Sequence, residues 1–204
     1  MSVILKPNVP SSQSLLIMFL ATLTVCEVIK SETGLNPKIK WPNDVIISGK
    51  KVCGTLVNLG VVDNTICYAV IGIGINANNA ITRIVSKLVA CQTNTFHGIT
   101  SLKAELDGSD VSAVDLIVSL IEKLEFYYDL LQQGLHDDIL AKWKDMSKTL
   151  NKPILIREQD KVFEAIAEDI DLTGAITVKT ADGNKRKIFS PDNIAWLNNN
   201  NNNY

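Results

Sequence analysis

KIKWPNDVIISGKKVCG, Lys38 to Gly54, sets four lysines, a Trp-Pro bend and an Asn-Asp pair among strand-forming apolar residues. Val45 to Ser48 and Val52 to Leu59 are rich in β-branched residues, and Ser48-Gly49 between them is a tight-turn pair, so the stretch predicts a hairpin. Working outward, Ile39 to Trp41 is a third short run upstream. Ile66 to Ile75 is a fourth downstream, reached through the turn pair Asp63-Asn64. Asp44 to Ile75 is therefore expected to form a meander of neighbouring strands packed on a helix. Strand alternation sends Lys50 and Lys51 to opposite faces. If Val52 packs inward, Lys51 faces out on the side of Cys53, and Lys50 takes the inward parity unless it escapes at the turn. Alternation alone does not choose between them. A polar turn is the ordinary reading of two such lysines. Asn43, Asp44 and the bare backbone of Gly54 add an amide, a carboxylate and room for close approach, a combination that suits a polar anionic ligand.

Upstream, Pro10-Ser11-Ser12-Gln13 supplies a turn and a hydroxyl cap for a helix whose apolar residues surround most of its circumference. Gly34, Asn36 and Pro37 stop it. Its apolar run, Leu15 to Cys26, is short for a bilayer span and lacks the flanks of a signal peptide, so it is expected to be a core helix. Downstream, Asn76 to Thr100 is polar and weakly patterned, apart from the apolar piece Ile84 to Val89; Gln92 to Thr95 is expected to be loop. From Ser112 to Trp143, Val114, Ile117, Val118, Ile121 and Leu124 recur at helical spacing and Gly134 interrupts, which predicts two helices. After Ser147 short alternating strands appear, with the hairpin pair Asp182-Gly183 between Val178 and Ile188. About fifty residues of this texture suggest a small barrel leaning on the first domain. Asn198 to Asn203 is low in complexity and expected to be disordered.

The chain has 204 residues, with 20 Lys+Arg against 22 Asp+Glu, so no global field steers it to nucleic acid or a membrane surface and any anion site is local. Cys26, Cys53, Cys67 and Cys91 form no C-x-x-C pair and read as buried reduced thiols, which suits a cytoplasmic protein. YAVIGIGINAN, Tyr68 to Asn78, imitates a dinucleotide fingerprint but offers no following amphipathic helix. Two readings stay open for Gly72 and Gly74: room for a flat ligand, with Asn76 at its end, or close packing of an aromatic or helix.

KWPNDVIISGKKVCGTLV followed by VIGIGINAN resembles the central motifs of biotin protein ligases, also called biotin–acetyl-CoA-carboxylase ligases or holocarboxylase synthetases. ITSLKAELDGSDVSAVDLIVSLIEKL resembles the helical segment that follows in that family, and AEDIDLTGAITVKTADGNKRKIFSPDNI its C-terminal barrel; the match runs in order from Ser2 to Trp196. The resemblance implies an α+β fold, with a mixed or antiparallel sheet and packed helices in a catalytic domain over 1–146. A small SH3-like β-barrel over 147–197 and the tail 198–204 would complete it. It implies ATP-dependent activation of biotin to biotinyl-5'-AMP, and transfer to a lysine of a biotin carboxyl carrier domain. ATP with Mg²⁺ and biotin are then substrates, without a prosthetic group or a resident metal, and a homodimer is a further expectation. By the same resemblance Lys51 contacts the biotin carboxylate and the phosphate, Lys40 the nucleotide, and Asp44 orients the acceptor amine or the metal. Trp41 and Asn43 join the binding residues, Gly54 and Leu56 flank the biotin pocket, Gly72 and Gly74 form its floor, and Asn76 lies on the nucleotide side.

Family members carry a Gly-Arg-Gly-Arg loop before the segment matched by SVILKPNVP, and the sequence contains none. The second reading is therefore a non-catalytic remnant that binds biotin weakly or pairs through an exposed sheet edge. A lipoate–protein ligase is the related alternative, against which Lys-Trp-Pro-Asn-Asp and DIDLTGAITV favour biotin. No N-terminal helix-turn-helix supports a repressor role.

Overall fold

A computed structural model describes residues 1–81, 98–158, 161–190 and 194–195. The Ile84 to Val89 piece, Cys91, Gln92 to Thr95, Trp196 and the Asn-rich tail lie outside the described residues. Of the thiols expected to be buried, Cys26 and Cys53 are, whereas Cys67 is exposed.

Among the described residues six strands make the first sheet: β1 (Ser2–Leu5), β2 (Val9–Pro10), β3 (Lys38–Lys40), β4 (Asp44–Ile47), β5 (Lys50–Val62) and β6 (Thr65–Ile75). Their order is β1-β6-β5-β4-β3, with β2 also on β6, and every pairing is antiparallel. The expected meander forms. Its turns are as tight as the residue pairs suggest, with positive φ at Ser48 (52°), Gly49 (79°), Asp63 (47°) and Asn64 (61°). β1 and β2 are additions that the sequence patterning did not mark.

Helix α1 (Ser14–Thr33) packs against this sheet, following a single 3₁₀ turn at Ser11–Gln13. The expected hydroxyl cap is not made: Gln13 occupies the cap position without a side-chain bond, and the Ser11 N–H instead donates to Asn64 O at 2.8 Å. Gly34 ends the helix in the left-handed region, at φ 71°, where its N–H reaches Lys30 O. By length and composition the segment could cross a membrane, but Leu16 to Cys26 is buried all round. It is the core helix, held between the sheet and the two helices Ala113–Gln132 and His136–Met146.

Helices α2 (Leu102–Glu105), α3 (Ala113–Gln132) and α4 (His136–Met146) follow, with Gly134 at φ 76° between the last two. Ser112 caps α3 by accepting from the Asp115 N–H. α3 buries Leu116, Leu120, Leu124, Tyr127 and Leu131, whereas Val114, Ile117, Val118 and Ile121 are exposed. Both sets repeat at helical spacing, and the set that meets α1 is the one with the larger side chains.

The second sheet is β7 (Lys152–Glu158), β8 (Lys161–Ile170), β9 (Ile176–Thr180), β10 (Lys185–Ile188) and β11 (Ile194–Ala195), in the order β10-β9-β8-β7-β11. It is the small antiparallel unit expected, and its core is continuous with that of the first domain. At the junction Ile39 bridges Ser147 in parallel, the Lys148 N–H donates to Ile39 O at 2.8 Å, and Lys144 Nζ lies 2.6 Å from Asp169.

Candidate functional site

Period-2 alternation divides β5 and β6 into two faces. Cys53 and Thr55 on β5, and Ala69, Ile71 and Ile73 on β6, are buried on the side of α1. Gly54, Leu56, Gly72 and Gly74 take the other face, where Gly54 pairs with Gly74 and Leu56 with Gly72. That face is open, and Leu56 is 61% exposed. A Cβ at Gly72 or Gly74 would meet only strand atoms, at 3.7 Å or more. Among the described residues neither an aromatic ring nor a helix presses on these glycines, so the packing of those residues does not demand them. They leave a bare two-rung floor.

The lysine question is answered by a β-bulge. Val45 pairs with Cys53 and Ile46 with Lys51, which leaves Val52 as an extra residue on β5. The extra residue cancels the alternation, so Lys51 shares a face with Gly54 instead of Cys53. Its Cε and Nζ both lie 3.1 Å from where a Cβ on Gly54 would be, and its Nζ sits 2.5 Å from Asp44 Oδ1. Gly54 is thus the space through which the lysine stem reaches Asp44, which is the cross-strand neighbour of Gly54. The Lys51 backbone is fixed as well: its N–H donates to Gly98 O at 3.1 Å and its carbonyl accepts from the Thr100 N–H at 2.9 Å. Lys50 points elsewhere, with its Nζ 3.7 Å from Glu105.

Lys40 faces Asp44 across the β3–β4 ladder. Burial pushes its amine down to about 8, a shift that Asp44 opposes and the Lys51 ammonium reinforces. Lys40, Asp44 and Lys51 therefore form one electrostatic group, two amines around one carboxylate, at the end of the glycine floor.

The remaining residues singled out in the sequence lie off the floor. Trp41 is 2% exposed and faces the second sheet, donating from Nε1 to Gly174 O at 3.1 Å and from its backbone N–H to Thr149 Oγ1 at 3.0 Å. The amide of Asn43 donates to Thr55 O at 2.8 Å. That of Asn76 donates to Thr100 O at 3.1 Å, tying the 98–102 segment to the end of β6. Sequence reasoning missed Thr149, Gly174 and the bulge at Val52. DIDLTGAITV contains Gly174, but no local pattern links it to a tryptophan 133 positions away.

Chemically, the face offers a fixed ammonium beside bare backbone for an anion, then an apolar floor edged by Leu56 for a flat group. Among the described residues no cluster of three His, Cys, Asp or Glu side chains could hold a metal.

Residues 1–76 match the model of the Biotin/lipoate A/B protein ligase family, and residues 149–190 that of the Biotin protein ligase C terminal domain. The Bifunctional ligase/repressor BirA of Bacillus subtilis (strain 168) is 28% identical over 193 residues, covering 94% of this chain and 56% of its own length. The protein of the same name from Escherichia coli (strain K12) is 26% identical over 157 residues, covering 77% of this chain and 46% of its own length. The chain thus spans about half the length of the curated relatives it matches. Among solved structures, the biotin protein ligase from Aquifex aeolicus in complex with biotin and ATP has a TM-score of 0.71 at 20% identity, covering 95% of this chain and 75% of that one. The apo structure of that ligase gives 0.73 at 20% identity, with 96% and 80% covered. At this identity the likeness establishes the fold.

Proposed function

We propose that the chain, with its biotin/lipoate A/B protein ligase segment 1–76 and its biotin protein ligase C-terminal domain 149–190, is a biotin protein ligase whose open glycine face binds biotin and ATP and joins them as biotinyl-5'-AMP. The observation that carries the proposal is Lys51, threaded over Gly54 and held by Asp44 at the end of a floor that the packing of the described residues does not require to be bare. Two anions, the biotin carboxylate and the α-phosphate, must approach each other, and a fixed ammonium between them lowers the cost of their repulsion. The carboxylate oxygen attacks the α-phosphorus, the bond to the β-phosphate oxygen breaks, and pyrophosphate leaves. Lys51 meets the charge that develops on the phosphoryl oxygens. Lys40 adds a second amine on the nucleotide side. Leu56, Gly72 and Gly74 receive the apolar body of biotin.

Mg²⁺ would enter with the nucleotide as MgATP, held mainly by the phosphates. In the transfer step the acceptor amine of a carrier-domain lysine loses a proton and attacks the anhydride carbonyl, releasing AMP. Asp44, at the edge of the floor, is the carboxylate placed to orient that amine. The C-terminal domain match is to biotin protein ligases, which favours biotin over lipoate as the acid. Among the described residues β1 has a strand partner on one side only, and that edge is where a second copy or another chain would pair.

Titration calorimetry with biotin, followed by biotin-dependent pyrophosphate release from ATP, tests the reading. Saturable biotin binding with pyrophosphate release supports the ligase. Weak binding without release supports the non-catalytic reading, and no binding refutes the ligase and leaves the remnant that pairs through its sheet edge.

A further inference from the structure

We propose that the second domain is a positioning element of the ligand site: its Asp171 to Gly174 turn and Thr149 grip Trp41, and through it fix the Asn43-Asp44 segment that holds Lys51. The proposal rests on the ligase reading for its kinetic consequence, and on contacts alone for its structural one. Trp41 is buried, and both of its N–H donors are satisfied from the second domain side, by Gly174 O and Thr149 Oγ1. Thr149 is itself 1% exposed. The Gly174 carbonyl is held in turn: the Gly174 N–H donates to Asp171 O at 2.8 Å, the Thr173 N–H to Asp171 Oδ1 at 2.9 Å, and Lys187 Nζ closes on Asp171 Oδ2 at 2.7 Å. Gly174 sits at φ 78°, and a Cβ there would fall 2.3 Å from Leu15 Cδ1. The turn is therefore wedged between the first turn of α1 and the indole.

From Trp41 the constraint passes along the chain. Two residues on, the Asn43 carbonyl accepts from Thr55 N at 3.0 Å and from Thr55 Oγ1 at 3.1 Å, while its amide donates to Thr55 O. Asp44 follows, with Lys51 on it. β3 is only three residues long and lies at the sheet edge, so its own ladder is a weak hold on this loop. A buried donor that loses its acceptor is costly, so the indole stays on Gly174 and the loop cannot turn independently of the second domain. This gives DLTGA a task that its own surface chemistry does not reveal.

Trp41→Phe keeps an aromatic ring but removes the indole donor together with the five-membered ring that carries it, so Thr149→Val is the conservative test. Thr149→Val keeps the side-chain shape and removes the acceptor. Lys144→Ala is the control, breaking the Lys144–Asp169 pair at the same junction without touching Trp41. On the full chain, each of the first two is expected to lower kcat for pyrophosphate release roughly tenfold, with KM for biotin within about twofold, because small misplacements of reacting groups act on the chemical step. Loss of kcat equal to that of Lys144→Ala, or no loss, overturns the proposal. A second readout is independent of activity: pH-dependent acetylation of Lys40, followed by mass spectrometry. The Lys40 midpoint starts near 8, with Asp44 and Lys51 as its charged neighbours, and shifts toward the ordinary lysine value in both variants as the loop loosens. An unchanged midpoint refutes the grip even in a chain without ligase activity, whereas absent pyrophosphate release in the unmodified protein refutes the ligase reading alone.

Discussion

Replacing Lys51 by methionine separates what its charge does for the fold from what it does for a ligand. Methionine keeps an unbranched stem to fill the space over Gly54 and discards the ammonium. The Lys51–Asp44 pair is short, 2.5 Å, but its side chains are 41% and 23% exposed. An ion pair that open contributes about 0–1 kcal/mol, so thermal unfolding should shift by no more than about 2–4 °C. The ligand feels a larger effect. An ammonium about 3 Å from an anionic oxygen, at an effective dielectric constant of about 20, is worth roughly 5 kcal/mol before Asp44 takes back its share. Removing a comparable fixed donor from a developing oxyanion costs about 2.7–4 kcal/mol. Biotin-dependent pyrophosphate release should therefore slow by about 10²–10³-fold while the unfolding temperature barely moves. A rate within about threefold of the unmodified protein would refute the assignment of Lys51, and so would a rate loss matched by wholesale destabilisation.

Two glycines give opposite outcomes. In Gly54→Ala the new Cβ meets only the movable end of Lys51, at 3.1 Å, so urea unfolding changes by less than about 1 kcal/mol while biotin affinity, read by calorimetry, falls about tenfold. In Gly174→Ala the Cβ meets Leu15 at 2.3 Å from a left-handed backbone, and the urea midpoint should drop by the equivalent of about 2 kcal/mol or more. Burial raises the Glu27 carboxyl, but the 2.6 Å hydrogen bond from Tyr127 and the nearby Lys123 outweigh it and hold the pKa below its ordinary value. The stabilisation is present above the ordinary carboxylate pKa and lost as pH falls through the folded one. Tyr127→Phe should cost about 1.5–3 kcal/mol at pH 7, and its urea midpoint should converge on that of the unmodified protein in acid. Lys40, lowered from 10.5 to about 8 by burial, gives a slope of the same sign in a higher window: between those values the unfolded chain binds the extra proton, so the cost of burying the ammonium is relieved as pH rises. Lys40→Met should remove that slope when the two proteins are compared in urea at pH 8 and 9.5, the buried thiols and Tyr127 being common to both.

The sequence by itself determined the strands, turns and helices whose causes are local. Ser48-Gly49 and Asp63-Asn64 fixed the meander because few residue pairs accept two positive φ angles, Gly34 fixed the end of α1 for the same reason, and the run of short strands after Ser147 marked the second sheet. The order of KWPND, GKKVCG and GIGIN also placed the candidate residues on neighbouring strands. The tertiary structure decided the rest, because those outcomes depend on partners distant along the chain. Two apolar stripes on α3 repeat alike, and only contact with α1 selects the leucine one. The bulge at Val52 follows from pairing with β4, and it alone puts Lys51 over Gly54 beside Asp44. The family resemblance alone names Trp41 as a binding residue, and only the fold shows its indole donating to a carbonyl 133 residues away. Alternation is a property of one strand, whereas the face a lysine takes belongs to the pair of strands, and the anchor of a loop belongs to the whole fold.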